Sequence, residues 1–225
     1  MKAVIFDLDG TLLDTLDDIR GAINYARAAY DGVLVSREDT RRYIGNGLFN
    51  ALKKSFIEHG PMLESEDELS LIFQLMMGYY KNHPADHAYP YDGVMELLRT
   101  LKKNGVKCAI LSNKADSIVQ DMLPKSFDDF VFDYAIGHRD DFPLKPNAAS
   151  LYHVLEELGV DKDDVIYIGD SEVDYKTAIA AGVRHIIVTY GFRDREDLEK
   201  AGAVNLIDHV PSYEELWDGY RAQLS

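Results

Sequence analysis

Hydrophobic positions along the chain follow two alternating periods. Ala3-Val4-Ile5-Phe6 is a short unbroken apolar run stopped by Asp7-Leu8-Asp9-Gly10-Thr11, a pattern that predicts a strand buried on both faces and ending in a polar loop. Comparable runs recur at Cys108–Leu111, Val165–Ile168 and His185–Val188, with a less regular one at Phe132–Ile136. Between them apolar residues adopt helical spacing: Val94, Leu97, Leu98 and Leu101; Leu151, Val154, Leu155 and Leu158; then Ala178, Ile179 and Ala181. Alternation of this kind predicts an α/β fold, a Rossmann-like doubly wound parallel sheet with helices on both faces. Ligands of such sheets bind at the carboxyl ends of the strands.

Residues 15–88 break the alternation. Leu16, Ile19, Ala22, Ile23, Ala26 and Ala29 form one helical stripe, and Leu69, Ile72, Phe73, Met76, Tyr79 and Tyr80 form another. Ser36-Arg37-Glu38-Asp39 offers an N-cap for a short helix through Tyr43, and Gly45-Asn46-Gly47 predicts a turn. With no convincing strand among them, these residues predict a small helical domain inserted after the first strand. Tyr89-Pro90-Tyr91-Asp92-Gly93 marks the return to the core, which therefore comprises residues 1–14 and 89–225.

Composition narrows the possible partners. The chain has 225 residues, 46% hydrophobic, enough to bury a substantial core. Its 24 Lys and Arg stand against 39 Asp and Glu, a net charge of −15, which repels nucleic acids and anionic membrane surfaces. Neither is expected as a partner, and an anionic substrate must find a local positive site. The single cysteine, Cys108, lies within an apolar run and predicts a small core residue rather than a disulfide, consistent with a reducing cytoplasm. The apolar run from Ala3 meets Asp7 too early for a signal-peptide core or a membrane span. A cytoplasmic protein, monomer or homodimer, is expected.

Two predicted strand ends carry the chemistry. Asp7 and Asp9 follow the first, and extended spacing sets them on one side of the chain beside Gly10, which lets the backbone turn sharply. Asp and Gly also make ordinary solvated turns. However, Val165–Ile168 delivers a second acidic group at the same type of edge, Gly169-Asp170-Ser171-Glu172-Val173-Asp174. Carboxylates gathered this way repel one another unless a hard cation joins them, and an all-oxygen donor set suits magnesium. A third strand end supplies Ser112 and Asn113, whose hydroxyl and amide can donate to phosphate oxygens, although a Ser-Asn turn needs no ligand. Lys145 precedes a predicted helix, where the dipole disfavours a cation unless an anion is held there; an exposed loop lysine is the alternative.

In this order the four segments resemble the motifs of the haloacid dehalogenase-like phosphatase superfamily: Asp7-Leu8-Asp9-Gly10-Thr11, then Ser112, then Lys145-Pro146, then Gly169-Asp170-Ser171-Glu172-Val173-Asp174. The resemblance implies that Asp7 attacks phosphorus to form an aspartyl-phosphate while Asp9 protonates the leaving oxygen and later activates water. It further implies that Thr11, Ser112, Asn113 and Lys145 hold phosphate. Mg²⁺ would be held by the Asp7 carboxylate, the Asp9 backbone carbonyl and Asp170, with Asp174 a water-mediated ligand or the orienting partner of Lys145. An acid at position 9 favours phosphate esters over the dehalogenase and phosphonatase branches. The helical insertion resembles the α-helical cap of the subfamily holding phosphoglycolate phosphatases, pyrophosphatases, some nucleotidases and β-phosphoglucomutase. Leu13-Asp14-Thr15, Tyr43-Ile44-Gly45-Asn46-Gly47, Ser112-Asn113-Lys114, Ala181-Gly182-Val183 and Thr189-Tyr190-Gly191 look most like the phosphoglycolate phosphatases. A small phosphorylated metabolite is the implied partner, with 2-phosphoglycolate as the best single substrate. A sugar phosphomutase, a pyrophosphatase or nucleotidase, and a binding module without turnover are the alternatives. Ala148 departs from the second proline that many relatives carry after Lys145-Pro146.

Other features are expected to be structural. Pro84 interrupts the helix that would align His83 with His87, so a metal is not expected there. Arg41, Arg42, Lys53 and Lys54 read as a solvated face of the cap. Phe73, Tyr79 and Tyr80 read as cap core, and Trp217, in a helical segment Tyr213 to Leu224, is expected to pack against the sheet.

Overall fold

The computed structural model describes residues 1–44 and 47–223, so Gly45 and Asn46 of the expected turn, and Leu224, lie outside the described residues. The strands are Ala3–Phe6 (β1), Leu13–Asp14 (β2), Tyr89–Pro90 (β3), Lys107–Ala115 (β4), Tyr134–His138 (β5), Val165–Gly169 (β6), Arg184–Val188 (β7) and Leu206–Ile207 (β8). The helices are Leu16–Ala28 (α1), Arg37–Tyr43 (α2), Leu48–His59 (α3), Glu66–Asn82 (α4), Val94–Lys103 (α5), Asp116–Ser126 (α6), Ala148–Leu158 (α7), Glu172–Ala181 (α8), Arg195–Lys200 (α9) and Tyr213–Ala222 (α10). The chain divides into two compact units, Met1–Asp14 with Pro90–Ser225, and Thr15–Tyr89.

In the first unit the sheet order is β5-β4-β1-β6-β7-β8, with parallel pairing throughout. Strand order reverses at β1, which lies between β4 and β6, so the crevice expected of a doubly wound sheet opens beyond Phe6. Phe6 is in register with Ile110 on one side and Ile168 on the other, which brings the residues following all three strands to a common edge. Ala3, Val4 and Ile5 are fully buried, as a central strand covered on both faces requires. On one face Ala3, Ile5, Ala109, Leu111, Val165 and Tyr167 pack with Leu151, Val154 and Leu155 of α7 and Ala178 and Ala181 of α8. Gly159 and Gly182 end these two helices in the left-handed conformation that residues with a side chain rarely adopt.

Two local expectations need correction. The run expected at Phe132–Ile136 begins pairing only at Tyr134, opposite Ala109. Phe132 instead packs its ring against Phe127 and Phe130, and Asp133 accepts a hydrogen bond from Cys108 N at 2.8 Å. Helix α4 buries Leu69, Ile72, Met76 and Tyr80, whereas Tyr79 leaves that face and stacks between Tyr25 and His83 at 4.5 and 4.4 Å. Trp217 is half-buried, its ring edge-on to Tyr213 and Tyr220 of its own helix, and Leu216 and Tyr220 supply the buried face of α10.

The helical unit hides a charge that periodicity did not reveal. Arg27 on α1 is fully buried; it donates to the carbonyls of Val33 at 2.5 Å and Gly60 at 2.6 Å and to Ser55 Oγ, and lies over the Phe56 ring. His83 pairs with Asp86 at 2.7 Å, and the acid and histidine side chains near it form no ligand-like cluster among the described residues. Arg42 and Lys53 pair with acids on the surface of this unit. No described helix is long and apolar enough to cross a membrane.

Candidate active site

Asp7 follows β1 directly, and its N–H donates to Ile168 O at 2.8 Å, extending the sheet by one rung and aiming the side chain along the crevice. The chain then curls into a turn: Gly10 N donates to Leu13 O at 2.8 Å, and Leu12 and Leu13 both donate to Leu8 O. Gly10 has φ +87°, and a methyl group on it would collide with the Asp170 carboxylate, so conformation and space both call for glycine. Tyr190 fixes the far side of the turn by donating to Thr11 O at 2.7 Å.

Asp170 follows β6 as Asp7 follows β1, and it accepts from Phe192 N at 2.7 Å. Gly191 lets the backbone pass: a methyl there would meet both Asp170 and the Gly10 carbonyl. Asp174 enters from the first turn of α8, where Ser171 and Asp174 form a reciprocal cap. Asp7, Asp170 and Asp174 are all buried, and one carboxylate oxygen of each lies within 4.8 Å of the others.

Lys145 joins two of these acids. Its Nζ lies 2.7 Å from both Asp7 Oδ1 and Asp174 Oδ1, with 3% of the side chain exposed. Tyr167, from the middle of β6, donates to Asp174 Oδ1 at 2.7 Å and accepts from Lys145 at 3.2 Å. The lysine is thus a buried cation gripped from two sides, not the exposed loop residue that its sequence context also allowed. Burial works against its charge, but Asp174 and Asp7 outweigh it and raise its pKa. Burial likewise works against the Asp174 carboxylate, yet Lys145, Ser171 and Tyr167 hold its pKa below the ordinary value.

The other two acids are undercompensated. Burial pushes the Asp7 carboxyl up to about 7 despite Lys145, and repulsion from Asp174 adds to the rise. Burial, then Asp174 and Asp7, carries Asp170 well above the ordinary carboxylate range. Three buried carboxylates around one ammonium carry a deficit that a divalent cation matches in sign and size. The donor set is all oxygen, which fits Mg²⁺: Asp174 has both oxygens engaged, by Lys145 and Tyr167 on one and Ser171 on the other, whereas Asp7 meets Lys145 through Oδ1 and Asp170 meets Phe192 N through Oδ2, so each of these two keeps a second oxygen for an ion.

Thr11 and Ser112 complete the edge. Thr11 is 1% exposed, and its hydroxyl is buried without a hydrogen-bond partner, a deficit that a bound anion would remove. Ser112, also buried, accepts from Lys114 N at 3.1 Å, which leaves its hydroxyl proton to be donated elsewhere. Asn113 points to the lysine loop instead: its amide accepts from Lys145 N at 2.8 Å and donates to Lys145 O at 3.0 Å.

Two participants escaped the sequence reading. Tyr167 sat unnoticed in an apolar run, although a buried tyrosine hydroxyl generally needs a partner. Lys114 stood beside the Ser-Asn pair; strand alternation puts it on the same face as Ser112, and its Nζ lies 2.5 Å from Asp9 Oδ1.

A profile of the haloacid dehalogenase-like hydrolases matches residues 4–188, which span the acids, lysines and hydroxyls of this edge. The chain belongs to that family. It is similar to phosphoglycolate phosphatase 1 of Pseudomonas aeruginosa, 33% identical over 213 residues, covering 93% of this chain and 77% of that protein. A phosphoglycolate phosphatase of Thiobacillus denitrificans is 34% identical over 198 residues, 85% of each chain. A crystal structure from Lactobacillus delbrueckii subsp. bulgaricus shares the fold with a TM-score of 0.82 at 30% identity, covering 92% of this chain and 94% of that one. Within this family it is a phosphatase, similar to these phosphoglycolate phosphatases along most of its length.

Proposed function

We propose that this phosphatase hydrolyses 2-phosphoglycolate in a magnesium-dependent reaction through an aspartyl-phosphate on Asp7. The observation that carries the reading is the buried Asp7–Lys145–Asp174 chain, set beside an unpartnered Thr11 hydroxyl. A carboxylate can approach an anionic phosphate only where positive charge offsets the repulsion. Lys145 brings one such charge to Asp7 itself, and Asp174 with Tyr167 fixes where that charge sits.

In the first step Asp7 Oδ attacks phosphorus; the bond to the ester oxygen breaks, and Asp9 supplies the proton that this oxygen takes. In the second, Asp9 takes a proton from water as the water oxygen attacks phosphorus, which frees inorganic phosphate and restores Asp7. Thr11 and Ser112 hydroxyls donate to the phosphoryl oxygens, and Lys145 neutralises one of them. Asn113 serves by holding the backbone of Lys145. Asp7, Asp170 and the Asp9 backbone carbonyl would hold Mg²⁺. Bound there, the ion supplies charge compensation for the two acids and for the phosphoryl group.

The substrate follows from the phosphoglycolate phosphatases that the chain resembles along most of its length. The test is phosphate release from 2-phosphoglycolate, pyrophosphate, nucleoside monophosphates and sugar phosphates, with and without Mg²⁺, alongside Asp7→Asn. The expected result is a Mg²⁺-dependent preference for 2-phosphoglycolate that the substitution abolishes without loss of the circular dichroism spectrum. Strong turnover of a different ester would move the substrate and keep the chemistry. Retained activity in the folded variant would remove Asp7 from its role.

A further inference from the structure

Lys114 is a second buried ammonium at this edge, distinct from Lys145, and only 3% of its side chain is exposed. It lies at the end of β4, where the pairing with β5 shifts register between Leu111 and Ala115. Irregularities of this kind re-aim side chains beside active sites. The backbone N–H of Lys114 is held by Ser112 Oγ at 3.1 Å, and its Nζ meets Asp9 Oδ1 at 2.5 Å. Stability alone explains this pair poorly, because desolvating two charges offsets most of what their attraction returns.

We infer that Lys114 is the residue that selects an anionic leaving group, by binding a carboxylate on the carbon that bears the ester oxygen. The inference rests on the reading of Asp9 as the acid that meets the leaving oxygen. An ammonium in contact with the Asp9 carboxylate is then a near neighbour of whatever the leaving carbon carries. In the phosphate ester of an α-hydroxy acid that substituent is a carboxylate, one carbon away from the ester oxygen. An ammonium directs three N–H donors from one centre, a geometry that can serve Asp9 and a second carboxylate together. A neutral alkyl group in the same place offers the ammonium nothing and displaces water from it.

Ethyl phosphate and 2-phosphoglycolate test this, since they differ by a methyl group in place of the carboxylate. Wild-type enzyme is expected to favour 2-phosphoglycolate in kcat/KM. Lys114→Met is expected to lower that ratio by about 10–100-fold, the range for one hydrogen bond to a charged group, mainly through KM for 2-phosphoglycolate. Lys114→Arg is expected to restore part of the preference. A Lys114→Met enzyme that loses equally on both esters overturns the inference and reduces the lysine to a support for Asp9. If the methionine variant does not fold, Lys114→Gln gives the same comparison, because it keeps a polar head without charge. A wild-type enzyme that hydrolyses both esters without preference also overturns the inference while the phosphatase reading stands. Absence of Mg²⁺-dependent release from either ester or any other on the panel removes the reading of Asp9 and this inference with it.

Discussion

Asn113 and the backbone of Lys145 face one another in a reciprocal pair, the amide accepting at 2.8 Å and donating at 3.0 Å. This pair ties the end of β4 to the loop that carries the buried lysine, so the position of Nζ depends on a residue that reaches no carboxylate itself. Asn113→Ala leaves one N–H and one carbonyl of Lys145 to find new partners. The expected loss is about 1–3 kcal/mol of stability, together with a drop in kcat larger than any change in KM. Thermal melts and steady-state kinetics on 2-phosphoglycolate check both, and a variant with wild-type kcat would show that the loop holds its lysine by other means.

Lys145 itself is a buried cation shared by two acids, and removing it strands them. Lys145→Met is expected to destabilise the metal-free protein by about 3–5 kcal/mol, as breaking a buried ion pair typically does. Adding Asp174→Asn to the same chain is expected to recover part of that loss, because the second substitution removes one of the stranded charges. A double-mutant cycle by urea denaturation measures the coupling. Simple additivity would mean that the two side chains do not act as a pair.

Proton and metal linkage share the same acids. Asp7 titrates near 7 in the fold against an ordinary value of 3.8, so folding favours its protonated form. The stability this contributes is full below the ordinary value and is lost as pH rises through about 7. Melting temperature of metal-free protein is therefore expected to fall between roughly pH 4 and 7, with Asp7→Asn flattening that slope. Mg²⁺ should raise the melting temperature most at the alkaline end, where the acids are ionised and bind it best. Asp170→Asn should shrink the Mg²⁺ effect. A Mg²⁺ response unchanged by that substitution would place the ion elsewhere.

Much of this arrangement was legible in the sequence because it rests on strand ends. Asp7 and Asp170 terminate apolar runs, and a doubly wound parallel sheet brings such ends to one edge without help from side chains. Lys145 was legible as a position but not as a buried group, since its burial depends on Tyr167 and Asp174 converging from β6 and α8. Lys114 and Asn113 show the limit more sharply. Periodicity gives the face of a residue, whereas which carboxylate or backbone group it meets is set by loops more than thirty residues away in sequence. Arg27 was invisible for a related reason: it lies beside the apolar stripe of its helix and outside it, and the carbonyls that surround it come from another segment.

His185 offers a pH response remote from the acids. It is 5% exposed on β7, its Nε2 is buried without a partner, and the Tyr175 ring packs edge-on at 5.2 Å. Gln223 clasps its backbone, accepting from His185 N at 3.2 Å and donating to His185 O at 3.1 Å. Burial lowers the imidazole pKa below its ordinary 6.5, outweighing a hydrogen bond with the Val183 backbone that raises it. The folded state therefore binds a proton here less readily than the unfolded chain. Its contribution to stability is present above pH 6.5 and is lost as pH falls through the depressed value. His185→Phe removes the titrating group and keeps an aromatic ring against Tyr175, so the acid-side loss of stability should become shallower in the variant. Urea midpoints measured across this acid range for the two proteins make the comparison. Parallel curves would mean that the imidazole gains its proton in the fold as easily as in the unfolded chain, and that its buried nitrogen finds a partner once charged.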